Sequence, residues 1–127
     1  MTLAFAALVP GLPHLLTPTP DSPHAQLHQA MRRLGDDLVR KGVRRVIYYS
    51  SQWLSVLGTM VQAKPRLEGI HVDPSWHDLG SFAFAMNVDS AFSERIASAT
   101  RSAGYVTQTV AYDGFPVDTG TIVADTL

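Results

Sequence analysis

Seven consecutive apolar residues, Leu3-Ala4-Phe5-Ala6-Ala7-Leu8-Val9, run unbroken into Pro10-Gly11. A strand with one wet face would alternate apolar and polar residues. This run does not, so it predicts a strand covered on both faces. A sheet covered on both faces is the mark of an α/β protein. Leu12-Pro13-His14-Leu15-Leu16 and then Thr17–Pro23 follow, with four prolines between Leu12 and Pro23. That density excludes regular structure and predicts a loop over the end of the first strand. Ser22-Pro23 reads as a helix cap with proline at the first helical position. Leu27, Ala30, Met31, Leu34 and Leu38 recur at helical spacing, and Arg32, Arg33, Asp36 and Asp37 fall largely on the other side. Gly42 stops that helix. Val43–Tyr49, rich in Val, Ile and Tyr, predicts a second strand. Strand, loop, helix, strand is a βαβ unit with a right-handed crossover.

The remainder keeps the alternation. Ser55–Gln62, Gly69–Val72 and Phe82–Val88 predict short strands, with Pro65 and Pro74 in the turns. Asp89-Ser90 caps a helix that carries Phe92, Ile96, Ala99 and Ala103 on one face and ends at Gly104. Tyr105–Val110 is another β-rich run, Asp113–Pro116 a loop, and Thr121–Leu127 the start of a further element. The expectation is a single α/β domain over residues 1–127. Its sheet is mixed and mainly parallel, with helices on both faces.

Composition removes several functions. Hydrophobic residues make up 46% and charged residues 17%, which is not the composition of a disordered chain. Ten Lys and Arg against eleven Asp and Glu leave a net charge of −1, so no field gathers nucleic acid or anionic membrane. The basic run Lys41–Arg45 is short and reads as a solvated helix end. Cysteine is absent, which excludes disulfides, thiolate metal sites and cysteine nucleophiles. Leu3–Val9 has no basic start or cleavage signal, and no stretch has the apolar length of a membrane span. A soluble cytoplasmic protein is the expectation.

In open α/β sheets, ligands bind beyond the carboxyl ends of the strands. Three segments are expected there: Pro10–Leu16, Ser50–Leu54 and Phe115–Thr121. His14 in the first can ligate a metal or act as a base, or be a loop histidine bonded to backbone. Gln52 in the second can hydrogen-bond a ligand but is a poor metal ligand and no base. Trp53 beside it reads as core or interface. Asp118-Thr119-Gly120-Thr121 reads, alone, as a helix-capping turn. Two further clusters compete. His71, Asp73, His77 and Asp78 flank Pro74 and offer imidazoles and carboxylates for a divalent ion, or merely cap a polar turn. His24 and His28 form an i, i+4 pair on the first helix, a chelating geometry without a third ligand. Ser50 and Ser51 lack the glycines of a nucleophile elbow, and Pro10–Pro13 lacks a phosphate-binding fingerprint.

Taken together and in order, the three segments resemble the class III extradiol ring-cleavage dioxygenases, the superfamily of the protocatechuate 4,5-dioxygenase catalytic subunit. Val9-Pro10-Gly11-Leu12-Pro13-His14 resembles the opening strand and its Pro-His metal-ligand loop. Arg45–Trp53 resembles the second strand and its His-Trp motif. Val117-Asp118-Thr119-Gly120-Thr121 resembles the Asp-His-Gly-Thr motif. The resemblance spans essentially the whole chain, and the family's subunits are considerably longer than it. It implies Fe(II) held by two histidines and a glutamate. Only His14 matches. Gln52 stands where the second histidine belongs, Thr119 where the active-site histidine belongs, and the glutamate lies beyond Leu127. Pro13, Trp53 and Asp118 would line what remains of the cleft.

Within that superfamily, 2-aminophenol 1,6-dioxygenases pair a catalytic β subunit with a homologous α subunit that lacks the metal site. The resemblance therefore implies a non-catalytic α-type subunit. It would carry no metal of its own and would stabilise a β subunit that holds Fe(II), in a hetero-oligomer. Two other outcomes are kept open. One is an active oxygenase built on His14 with His71, His77 or a partner chain. The other is a stand-alone scaffold that binds an aromatic ligand.

Overall fold

A computed structural model describes Leu3, residues 5–53 and residues 55–127. The expected positions Ala4, in the first strand, and Leu54, in the second candidate segment, lie outside the described residues. The fold is mixed α/β, with three helices, one parallel strand pair and one antiparallel hairpin among the described residues. Contacts divide the chain into two compact units. The first comprises Met1–Gln52, Val72–Gly80 and Asp118–Leu127, and the second Trp53–His71 and Ser81–Val117.

The first unit is built around helix α1, Ala25–Arg40. Its start differs from expectation by a turn. Ser22 caps nothing helical; its hydroxyl accepts from the His24 backbone at 3.1 Å, and the helix opens at Ala25. Gly42 ends it with φ 68°, a conformation that suits glycine. Of the predicted apolar face, Met31 is buried and packs with Leu15 and Val123, flanked by Val9, Leu16, Leu27 and Leu127. Leu15 comes from a short 3-10 turn, Pro13–Leu15, and Val123 from the last helix, Thr119–Thr126. Gly35 on α1 allows close approach: a Cβ there would stand 2.6 Å from the Leu127 carbonyl oxygen.

The two predicted strands of this unit are a correction. Residues 5–9 and 43–50 form no ladder among the described residues. A strand exists only through the partner that takes its N–H and C=O groups. Without one, Leu8, Val46, Ile47 and Tyr49 are left more than half exposed. The βαβ unit predicted across α1 is therefore not formed by these residues.

The second unit holds every described strand. Strand β1, Thr59–Gln62, pairs in parallel with β4, Thr107–Val110, with Thr59 opposite Thr107 and Gln62 opposite Val110. Strands β2, Arg66–His71, and β3, Phe82–Asn87, form an antiparallel hairpin. Helix α2, Ser90–Ser102, packs on β1 and β4. Its predicted cap is present: the Asp89 carboxylate accepts from the Phe92 amide at 2.9 Å. The first strand of the unit begins later than the predicted Ser55. Gly58 has φ 85°, and a Cβ there would stand 2.3 Å from the Val106 carbonyl oxygen, so extended backbone starts only at Thr59. Within the hairpin, Gly69 lies opposite Phe84, whose ring covers the glycine. Among the described residues, no helix is long and apolar enough to cross a membrane.

The last helix, named α3 from here on (Thr119–Thr126), carries Asp125 near its C-terminal end. Partial desolvation raises the carboxyl of Asp125, an otherwise exposed residue, above its ordinary value of 3.8. A carboxylate at a helix C-terminus is also on the wrong side of the helix dipole. The neutral form is thus favoured in the fold, so stability is highest below the unfolded value and falls as pH rises through the folded value. Asp125→Asn is expected to melt at higher temperature than the parent at pH 7. The gap should shrink to nothing below about pH 3, as followed by circular dichroism across that range.

Candidate functional site

Parts of all three segments that carry the resemblance, up to Gln52 and from Asp118 on, meet in the first unit, and they meet at glycine. A Cβ on Gly11 would lie 2.7 Å from the Gly120 Cα. A Cβ on Gly120 would lie 2.8 Å from the Tyr48 hydroxyl and 3.1 Å from the Gln52 side-chain oxygen. The loop after the first apolar run and the start of α3 are therefore packed backbone to backbone, and the Tyr48 and Gln52 side chains close on Gly120. No larger residue fits between them.

Asp118 fixes this junction. It caps α3, with Oδ1 accepting from the Thr121 amide at 3.0 Å and Oδ2 from the Thr121 hydroxyl at 2.6 Å. The same Oδ1 accepts from the Ser50 hydroxyl at 2.9 Å. The capping turn read from the sequence is present, and it also ties two distant segments together. The Asp118 charge reaches Tyr48. Burial is the larger cause raising the Tyr48 phenol above 10.0, and Asp118 adds to it, while a hydrogen bond with Ser50 works the other way.

Thr119, at the position matched to the family's histidine, is 5% exposed. Its hydroxyl donates to Asp73 Oδ2. Asp73 is itself buried, and its Oδ1 accepts from the backbone of Ser75 at 2.8 Å and Trp76 at 3.0 Å. So Asp73 caps the turn around Pro74, as the polar-turn reading had it, and in addition orients Thr119. Sequence patterning placed Asp73 in a possible metal cluster and missed its link to Thr119. No periodicity signals a bond between residues so far apart in the chain.

His14, on the Pro13–Leu15 turn, stacks tilted on His24 with ring centroids 5.0 Å apart. Trp76 meets the same ring edge-on at 4.6 Å. The buried His14 Nδ1 has no hydrogen-bond partner. His28 is committed elsewhere, its Nδ1 lying 2.7 Å from the Leu15 carbonyl, to which it donates. Pro13 is buried beneath this turn. Gln52 is exposed, and its amide N–H donates to the Ser50 hydroxyl at 3.1 Å. Trp53 belongs to the second unit, where its indole N–H donates to the Pro116 carbonyl at 2.6 Å and its ring packs edge-on against Phe115.

The donors do not suit Fe(II). The matched positions offer one imidazole, one amide and one hydroxyl, and that hydroxyl is already bonded to Asp73. No group of three or more His, Asp or Glu side chains able to hold a metal occurs among the described residues. The arrangement is built for mutual restraint: each carboxylate is surrounded by donors from the chain itself.

No family model matches the chain. It is similar to the 2-aminophenol 1,6-dioxygenase alpha subunit of Pseudomonas sp, with 36% identity over 127 residues, covering 98% of this chain and 46% of the relative. The chain thus spans about half the length of that curated relative.

Two outcomes follow from the geometry. Thr119→Val removes a donor from a buried carboxylate and should destabilise the fold by about 1–3 kcal/mol. Thr119→Ser should restore most of it, as read from urea unfolding. In a spectrophotometric titration, the Tyr48 phenol should ionise above pH 10. Asp118→Asn should lower that midpoint without bringing it back to the ordinary value, because burial is the larger cause.

Proposed function

We propose that this chain serves as a non-catalytic α-type subunit of a heteromeric, Fe(II)-dependent ring-cleavage dioxygenase acting on 2-aminophenol or a related aromatic. His14, Gln52 and Thr119 are then the remains of a metal and proton-transfer site. The chemistry belongs to a homologous catalytic β subunit that holds the iron. The chain works in the cytoplasm, without nucleic acid or membrane as partner.

One observation carries this reading. The three segments matched to the family's active site still converge, through Gly11, Gly120 and Asp118, but the positions that should ligate metal or move protons are Gln52 and Thr119. Neither side chain is a base at neutral pH. The similarity to an alpha subunit supports the same conclusion. So does the apolar surface of the first unit, where Leu8, Val39, Val46, Ile47 and Tyr49 are exposed. Side chains of this kind are what a permanent partner can cover.

The test is co-expression with a homologous chain that has histidine at both positions, followed by size-exclusion chromatography, iron analysis and oxygen uptake on 2-aminophenol. The expected result is one complex with iron and activity, and no iron or oxygen uptake from this chain alone. Stoichiometric iron and turnover by the isolated chain would overturn the reading and point to His14 with His71 or His77.

A further inference from the structure

The second unit carries a groove of about 300 Å³ that neither His14, Gln52, Asp118 nor Thr119 lines. Its volume lies at the small end of the range for ligand sites, about 300–1,000 Å³, and so suits a single ring. Three aromatic side chains, Phe84, Tyr112 and Phe115, contribute to its walls. Phe115 is held between two other rings. Tyr112 meets it edge-on at 5.2 Å and Trp53 at 5.0 Å. Phe84 is held over Gly69, where a Cβ would come within 3.2 Å of the ring. The groove is thus bordered by the half-buried rings of Phe84 and Phe115 and by the exposed ring of Tyr112, which an incoming ring can stack on or meet edge-on.

Charge selects further. Lys64 lines the groove with its side chain only 31% exposed, and its ammonium lies 2.6 Å from the Asp113 carboxylate. Asp113 is 94% exposed. An ion pair with one partner almost wholly in water is worth little. An anion arriving from the groove side meets a half-buried lysine and displaces a weakly held partner. Glu68 also lines the groove, but Arg66 stands 3.1 Å from its carboxylate and offsets its charge.

We propose that this groove binds a small aromatic carboxylate, its ring among Phe84, Tyr112 and Phe115 and its carboxylate on Lys64. This site is separate from the subunit role proposed above and does not depend on it.

The test titrates benzoate into the full chain, with Trp53 fluorescence and amide chemical shifts as readouts. Benzoate should saturate with a Kd at or below about 1 mM, shifting residues of β2 and of the 112–117 loop. Benzamide, a neutral analogue of the same shape, should bind at least about tenfold more weakly. Lys64→Met, which keeps the stem and removes the charge, should weaken benzoate by a similar factor. Asp113→Asn removes the competing carboxylate and should bind benzoate at least as tightly as the parent. Absence of saturable binding up to about 10 mM, equal affinity for benzamide, or undiminished binding by a folded Lys64→Met chain would each overturn the proposal.

Discussion

The backbone contact between Gly11 and Gly120 is the constraint on which the first unit rests. It brings the loop ahead of the Pro13–Leu15 turn against the first turn of α3 with no side chain between them. Once the contact is made, Asp118 reaches Ser50, and Tyr48 is pressed against Gly120. Leu15 and Val123 then arrive on the same side of Met31. Each later interaction depends on that closeness. A methyl group at Gly11 would hold the two backbones apart, and one at Gly120 would press on the Tyr48 hydroxyl and on the Asp118 and Gln52 side chains, loosening the same junction.

Two carboxylates complete the junction in different ways. Asp118 acts at the helix terminus, where a charge is favoured by the dipole and by the free amides. Asp73 acts in the interior, where a charge must be surrounded by donors. The Ser75 and Trp76 amides and the Thr119 hydroxyl supply them. In this chain the side chain of residue 119 is engaged in that bond, its hydroxyl donating to the buried Asp73 carboxyl group.

What was legible in the sequence divides along physical lines. Features set by neighbours in the chain were readable: α1 from its periodicity, the Asp89 and Asp118 caps from side-chain chemistry, and the stop at Gly42 from its conformational freedom; α2 was readable as a helix, but it buries Phe92, Ser93 and Ala97 and leaves the expected Ala99 and Ala103 exposed. The hairpin strands were readable to within a few residues. Features set by distant partners were not. Val43–Tyr49 has strong strand chemistry, yet propensity cannot supply a neighbouring strand, and none is present among the described residues. The Asp73–Thr119 bond joins two segments that each looked like an ordinary turn. The three motif segments were recognisable as a set, but their meeting through paired glycines could be seen only in three dimensions.

The order of the segments has a consequence for how the chain is made. The first unit is discontinuous, and Val123 and Asp118 lie in its last stretch. During vectorial synthesis, Leu15 and Met31 emerge early and wait with their apolar faces uncovered. The second unit can close its β2–β3 hairpin meanwhile, since the two strands are near in sequence and short loops close quickly. Only when residues 118–127 are clear of the ribosome can the first unit bury its core. A nascent chain of this kind is at greatest risk of misassociation until residues 118–127 have emerged, and a chaperone or a waiting subunit would act most usefully in that interval.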